Sequence, residues 1–134
     1  GVWDACREAC RQLAKQGIRA IEVSGGIHGT PFPPEGLPYE ESVFRDHAAE
    51  IARTTGVPVI LVGMNRTPLI MTGLLNTTDI GYFALSRPFL RQPALANHWR
   101  ENTDEQAECL SCDACRDQAD GNICPFREFP EGEA

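Results

Sequence analysis

The sequence predicts an α/β fold built from parallel β/α units, and three observations support that prediction. Segments with helical spacing of apolar residues alternate with short apolar runs, the runs are rich in β-branched residues, and glycine or proline separates the two kinds of segment. Strands that alternate with helices pair in parallel through right-handed crossovers. The 134 residues are enough for one domain with a buried core.

The first β/α elements are predicted from an apolar stripe followed by an apolar run. The stripe has helical spacing and predicts a helix over 2–16, which ends before Gly17. Its members are Trp3, Cys6, Cys10 and Leu13. The run "IRAIEVS" at 18–24 then predicts a short buried strand that two glycines end. A loop rich in proline and glycine follows at 26–38, and long ordered loops of this kind are usually functional.

The remaining elements repeat this alternation. The segment 39–56 predicts a second helix, and "VPVILVG" at 57–63 predicts a parallel strand that is covered on both faces. A third helix is predicted to begin at Pro68 and to run through Leu75. A third strand at 79–86 and a last helix from Pro93 to about Arg100 complete the order α-β-α-β-α-β-α. Three strands alone leave two open sheet edges, so we expect further strands upstream of Gly1 or self-association.

The charge of the chain is concentrated near its end. Residues 101–134 hold ten of the nineteen acidic residues and two of the twelve basic ones, and the formal net charge of the whole chain is −7. This acidity disfavours binding to a phosphate backbone, so no nucleic-acid partner is predicted. No long apolar run and no secretion leader is present in the sequence, which predicts a cytoplasmic protein without a membrane partner.

Four of the six cysteines form a group with the spacing C-x2-C-x2-C-x8-C, at Cys109, Cys112, Cys115 and Cys124. Such close spacing without a leader favours a metal site over disulfides. We therefore predict an acidic, cysteine-rich, metal-binding tail over 104–134. Four thiolates suit zinc or a [4Fe-4S] cluster, and the spacing with a proline after the last cysteine favours the cluster. Zinc and unligated thiols remain alternatives, and the other two cysteines, on the first helix, are interpreted as small buried residues.

A ligand site is predicted where the strands end. In parallel α/β folds, ligands bind at the carboxyl ends of the strands, where glycines let backbone N–H groups approach an anion. An arginine beside such loops adds a charged contact. The residues at the three strand ends therefore predict a phosphate cradle. They are Ser24, Gly25, Gly63, Met64, Asn65, Ser86 and Arg87.

Four segments in this order resemble the end of a known family. "IEVSGG", "VPVILVGMNRTP", "DIGYFALSRPFLRQPAL" and "CLSCDAC" are similar to the last three barrel strands, and the segment after them, of the old yellow enzyme family of flavin-dependent NAD(P)H oxidoreductases. The resemblance covers roughly residues 10–125. It implies that 1–103 is the C-terminal part of a TIM-type (β/α)8 barrel, whose FMN phosphate is held by the loops after the last two strands.

The resemblance also implies an activity and its cofactors. Members of the family reduce activated C=C bonds of small-molecule substrates with hydride that passes from NAD(P)H through FMN. In the 2,4-dienoyl-CoA reductase branch, a similar cysteine group holds a [4Fe-4S] cluster. The family's substrate-activating His/Asn or His/His pair and its proton-donating tyrosine have no counterpart here, so no catalytic residue is predicted and the fragment alone is expected to be inactive. The alternative is a non-catalytic metal-binding or electron-transfer module.

Three histidines are also candidate site residues. His47 lies on an apolar helix face and is interpreted as a packing residue. His98 lies beside a tryptophan on the last helix and is interpreted as a surface or packing residue. His28, in the proline-rich loop, is the best of the three candidates for contact with a ligand.

Overall fold

The structure is a computed structural model, and it describes residues 1–26, 40–102, 104–116 and 118–127. Helices and strands alternate along the chain until two helices follow the last strand. The elements are α1 (Val2–Lys15), β1 (Ile21–Val23), α2 (Arg45–Thr55), β2 (Val59–Val62), α3 (Pro68–Thr77), β3 (Tyr82–Ala84), α4 (Arg87–Arg91) and α5 (Leu95–Glu101). No helix among the described residues is both long and apolar enough to cross a membrane.

The chain divides into two compact units. The sheet unit consists of Gly1–Asn65 and Ile70–Ala84, and the cysteine unit consists of Arg66–Leu69 and Leu85–Ala134. The predicted boundary between 103 and 104 stays a prediction.

The sheet unit contains a three-stranded parallel sheet in the order β1-β2-β3. Ile21 pairs with Val59 and Val62 pairs with Ala84, so consecutive strands are neighbours whose carboxyl ends lie at one edge of the sheet. The prediction of an α/β fold with parallel strands is thereby confirmed.

The core of the sheet unit is formed by α1, α2 and the sheet. On β2, Val59 and Leu61 are fully buried, whereas the alternate positions are half-buried. Among the described residues, one face of β2 therefore carries most of the packing, and the cover predicted on the second face is partial. The buried cluster consists of Cys10, Ile21, Val23, Ala48, Ile51, Ala52, Val59, Leu61 and Ile80.

Two helices end at glycines as the sequence predicts. Gly17, shortly after α1, has φ +87°, and Gly56, directly after α2, has φ +67°. The Gly56 N–H donates to the carbonyl of Ala52, which satisfies one of the free carbonyls of the last turn. The left-handed conformation costs glycine little, since it has no Cβ.

The segment after β3 corrects one prediction. In place of a single helix from Pro93 to about Arg100, the chain forms α4 and then α5, with Pro93 between them. Pro88 fits inside the first turn of α4, where its missing N–H would have no helical partner. Gln92 is extended at φ −129° and ψ 86°, because the residue before a proline is disfavoured in the helical region. Short helices on both sides of Pro93 are the result.

An ion pair between α1 and α2 gives stability that depends on pH. Arg7 Nη1 donates to Glu50 Oε1 at 2.7 Å, and this hydrogen bond is the main cause that holds the pKa of Glu50 below its ordinary value of 4.5. A carboxyl whose pKa is lower in the folded state stabilises the fold above its unfolded pKa, and that contribution disappears as the pH falls through the folded pKa.

We expect Glu50→Gln to lower the melting temperature slightly at pH 7 and to have no effect below the folded pKa of Glu50. Because the side chains of Arg7 and Glu50 remain 38% and 31% exposed, high salt should reduce the difference. Thermal melts from pH 7 to pH 3 test this, with the exposed Glu22→Gln as the matched control. A difference that persists at the lowest pH would contradict the ion-pair interpretation.

Candidate functional site

The predicted phosphate residues of the sheet unit lie at the carboxyl ends of two neighbouring strands. Ser24 and Gly25 follow β1, and Gly63, Met64 and Asn65 follow β2. Val23 and Leu61 are paired in the sheet, so the two loops start from the same edge. The structure therefore brings these five residues together.

The ring of Phe44 packs against both of these strand ends. A methyl group on Gly25 would lie 2.5 Å from Phe44 Cζ, and one on Gly63 would lie 2.9 Å from Phe44 Cδ2. The segment before α2 is also held there by its backbone, since the N–H groups of Ser42 and Val43 donate to the carbonyls of Met64 and Gly63. Both glycines are thus required for the close approach of Phe44.

The buried side chain of Asn65 forms hydrogen bonds with several parts of this region. It is 2% exposed, and its Nδ2 donates to the carbonyls of Leu61 and Ala84 at 2.8 and 3.2 Å. Its Oδ1 accepts the hydroxyl hydrogen of Ser42, which is fully buried. The side chain therefore joins the ends of β2 and β3 to the segment before α2.

The backbone next to Asn65 has an unusual conformation. Gly63 and Met64 have positive φ values of 114° and 61°, and Ser42 has φ 51°. Positive φ is uncommon for residues other than glycine and is found mainly where the surroundings enforce it. Successive backbone N–H groups in such turns form the concave surfaces, called nests, that bind anions.

The other two predicted phosphate residues belong to the cysteine unit. The carbonyl of Ser86 accepts N–H groups from Phe89 and Leu90 in the first turn of α4. Arg87 Nη1 donates to Asp113 Oδ1 at 2.5 Å, and both side chains are less than a third exposed. The structure thus places the side chain of Arg87 beside the cysteine segment.

All four predicted metal ligands line one cavity of about 410 Å³ in the cysteine unit. Cys115 is buried, Cys109 and Cys124 are half-buried, and Cys112 is exposed; none of them forms a disulfide. Among the residues that the structure describes, no three His, Cys, Asp or Glu side chains converge closely enough to hold a single metal ion. The four cysteines therefore share a cavity, but their side chains do not meet at one point.

The cysteine loop, defined as residues 109–115, has an alternating backbone conformation. Ser111 and Asp113 have positive φ values of 54° and 59°, whereas Cys112 between them does not. The buried Arg66 donates a hydrogen bond from its Nη2 to Ser111 Oγ at 3.4 Å. Loops with this alternation form the nests found at many phosphate and iron–sulfur sites.

Two arginines of α4 pair with acidic residues that neighbour the cysteines. Arg87 pairs with Asp113, which lies between Cys112 and Cys115 in the sequence. Arg91 pairs with Glu108 at 3.2 Å, directly before the first cysteine of the loop. Both pairs line the cavity.

The thiols of the cavity differ in their surroundings. Burial raises the pKa of Cys115 above its ordinary value, and the positive charge of Arg87 acts in the opposite direction. A buried thiol of this kind becomes a metal ligand only as the thiolate, so a cation near it favours ligation.

The residues interpreted as packing groups lie in the sheet unit. Cys10 is buried, and burial together with the neighbouring Cys6 raises the pKa of its thiol. Cys6, by contrast, is exposed, so the interpretation as a buried residue is wrong for it. His47 packs edge-on against Trp3, with ring centroids 4.2 Å apart, although its side chain is largely exposed.

His98 is the remaining histidine among the described residues, and it carries no feature of a site. In the cysteine unit, His98 contacts the carboxylate of Glu105 at the surface, as interpreted from the sequence. The proline-rich loop and His28 lie outside the described residues.

Three residues of these sites escaped the sequence interpretation. Phe44 and Asp113 have no pattern that reveals their partners, because each partner is distant in the chain. Arg91 could have been found from the sequence. Two arginines four residues apart share one face of a helix, and an acidic cysteine segment follows them, which together indicate ion pairs between the two segments.

Comparison with known proteins finds no family model that matches the chain. Over 104 residues, which are 77% of the chain, it is 26% identical to the metal reductase of Desulforamulus reducens. Over 79 residues, which are 58% of the chain, it is 30% identical to the 4,4'-dithiodibutanoate disulfide reductase of Rhodococcus erythropolis. The matched regions span only 16% and 19% of the lengths of these two relatives.

Proposed function

We propose that this chain is the C-terminal part of an FMN-dependent NAD(P)H oxidoreductase of the ene-reductase type, with a [4Fe-4S] site at its four clustered cysteines. The observation that carries the proposal is the single cavity lined by Cys109, Cys112, Cys115 and Cys124. The similarity to two proteins named as reductases supports a redox function at the coarser level.

The shape of the cavity favours a cluster over zinc. A tetrahedral zinc ion draws four sulfurs to about 2.3 Å from one centre, which leaves no cavity between them. Here the cavity that the four cysteines line together with other residues measures about 410 Å³, a volume that suits a group of several atoms. The alternating backbone at Ser111 and Asp113 adds N–H groups of the kind that surround iron–sulfur clusters.

The FMN phosphate is proposed at the ends of the last two strands. The residues that would hold it are Gly63, Met64, Asn65, Ser86 and Arg87, and Ser24 and Gly25, at the end of β1, are further proposed FMN-binding residues. Two observations support an anion-binding site at these strand ends. β2 and β3 are parallel neighbours, so their carboxyl ends lie side by side, and Gly63 and Met64 have successive positive φ values. Asn65 acts indirectly in this proposal, because its side chain holds the strand ends in place.

When bound, FMN supplies hydride transfer from NAD(P)H to a substrate, and a [4Fe-4S] cluster supplies single-electron transfer. The residues of this chain contribute binding and shape. Phe44 presents an apolar ring beside the strand ends, and Cys115 of the cysteine loop is buried. The remaining strands of the barrel, with the substrate-binding residues, are proposed to lie in the rest of a longer protein, and the matched regions are only 16% and 19% of the lengths of the two relatives.

The relatives widen the range of substrates to test. One is named as a reductase of metal and the other as a reductase of a disulfide, whereas the resemblance in sequence points to activated C=C bonds. Each substrate class accepts electrons from a reduced flavin or cluster. Assays of the whole protein with NADH or NADPH should therefore include an enone, a disulfide and Fe³⁺.

The phosphate site predicts that the protein distinguishes FMN from riboflavin. We expect the whole protein that contains this chain to bind FMN at least about 100-fold more tightly than riboflavin, because two charge-assisted hydrogen bonds are lost without the phosphate. Fluorescence titration of the flavin measures both affinities. Equal affinities, or no binding of either flavin, would reject the FMN part of the proposal.

The cysteine site predicts iron and sulfide at about four each per chain after anaerobic preparation. Cys115→Ser should lose most of the iron, whereas Cys6→Ser, which changes an exposed cysteine of the sheet unit, should keep it. Elemental analysis and the visible absorption of the cluster measure this. One zinc per chain would instead support a structural metal site.

A non-catalytic electron-transfer module is the second candidate function. It is favoured by one observation, namely that all the residues that line the cavity belong to the cysteine unit. A protein that binds four iron atoms but no flavin, and that oxidises no NAD(P)H, would support this candidate over the first.

A further inference from the structure

Two ion pairs join the short helix α4 to the cysteine loop and to the residue directly before it. Arg87 and Arg91 are one turn apart on α4, and their carboxylate partners, Asp113 and Glu108, lie within one residue of Cys112 and Cys109. Both cations and both anions line the cavity together with the four cysteines. The arrangement therefore couples charge on α4 to the position of the loop.

The contact of Arg87 is the more protected of the two. The side chains of Arg87 and Asp113 are 21% and 26% exposed, whereas Glu108, the partner of Arg91, is 54% exposed. Exposed ion pairs contribute little because water and salt screen them, and half-buried pairs are screened less. Arg116 also lies near Asp113, but at 3.8 Å and with a half-exposed side chain.

We infer that Arg87 is a positioning residue of the cysteine cavity, which fixes the loop through Asp113 and keeps a positive charge beside Cys115. The consequence for redox chemistry rests on the proposed [4Fe-4S] site. A cluster held by four thiolates is an anion that gains one further negative charge on reduction, so a nearby cation stabilises the reduced form more than the oxidised form. Arg87 should therefore raise the reduction potential.

Arg87 and Cys115 line the same cavity. This inference gives the Arg87 side chain a role besides the FMN phosphate contact predicted from the sequence. The phosphate contacts of the proposed function are then left chiefly to backbone N–H groups at the strand ends.

Three variants of the whole protein separate charge from simple structural support. Arg87→Gln removes the cation, and Asp113→Asn removes the anion but keeps an oxygen that accepts the N–H of Arg87. Arg100→Gln is the matched control, since Arg100 is an exposed arginine of α5 that does not line the cavity. Hydrogen exchange of residues 109–116, measured on the protein without metal, reports the position of the loop. A redox titration followed by visible absorption reports the potential.

We expect about fivefold faster exchange of residues 109–116 in Arg87→Gln, because the variant loses the contribution of one half-buried ion pair to the stability of the loop. The reduction potential should become more negative in Arg87→Gln and less negative in Asp113→Asn, and Arg100→Gln should change neither measurement. A residue with a merely structural role would not shift the potential in opposite directions in the two variants.

Two results would overturn the inference. One is exchange in Arg87→Gln equal to that in Arg100→Gln, and the other is a potential that moves in the same direction in Arg87→Gln and Asp113→Asn. If the wild-type protein takes up no iron, the cluster of the proposed function fails. Exchange alone then decides the positioning role: faster exchange in Arg87→Gln upholds it, and unchanged exchange rejects it.

Discussion

Replacing Asn65 by alanine should lower the free energy of unfolding by about 2–4 kcal/mol, because the change leaves buried polar groups without partners. The Asn65 side chain donates to the carbonyls of Leu61 and Ala84 and accepts the hydroxyl hydrogen of Ser42. Leu61 and Ser42 are fully buried, so water cannot replace the lost hydrogen bonds without opening the structure. Urea denaturation of the wild type and the variant measures the difference.

The same measurement on three further variants tests the cause. Asn76→Ala removes an exposed asparagine of α3 and should change the free energy of unfolding by less than about 0.5 kcal/mol. Ser42→Ala removes only one hydrogen bond of the Asn65 network and should cost less than Asn65→Ala. Because the two residues are in contact, the double variant should cost less than the sum of the two single changes. Strict additivity would show that Asn65 stabilises the fold independently of Ser42.

The order and type of most elements could be predicted from the sequence because local patterns determine them. The β-branched run around Val59 and the glycines at 17 and 56 indicate a strand and two helix ends without reference to the rest of the chain. The separate helix α4 was missed because the interpretation relied on Pro93 as a helix start. The restriction that Pro93 places on Gln92 ends α4 just before it.

The candidate sites were predictable to different degrees for a related reason. The spacing of the four cysteines restricts them to a short segment, so their common cavity follows from the sequence. The contact of Arg87 with Asp113 joins residues 26 positions apart. It depends on the tertiary fold, which no local sequence pattern predicts. The contacts of Phe44 with two strand ends also depend on the tertiary fold. They give Gly25 and Gly63 a packing role, and the presence of glycine in the sequence does not by itself distinguish that role from anion binding.

Gly63→Ala should destabilise the protein by about 2–4 kcal/mol, from backbone strain and from overpacking. Gly63 has φ +114°, a conformation that residues with a Cβ rarely adopt, and the new methyl group would lie 2.9 Å from Phe44 Cδ2 and 3.3 Å from Val43 Cγ1. Gly73→Ala is the matched control. Gly73 lies inside α3 with open space around it, so alanine there should stabilise the protein by about 0.5–1 kcal/mol.

Gly25 separates the two causes of the effect at Gly63. Gly25 lies outside the positive range of φ, yet a methyl group there would be 2.5 Å from Phe44 Cζ, so Gly25→Ala tests the clash alone. Phe44→Ala itself should destabilise the sheet unit, because the ring packs against the buried core. In that background, Gly25→Ala should cost almost nothing, whereas Gly63→Ala should keep the cost of its backbone strain of about 1–3 kcal/mol. An undiminished cost of Gly25→Ala without the Phe44 ring would mean that this glycine is required for a reason other than the ring, such as the approach of the proposed phosphate.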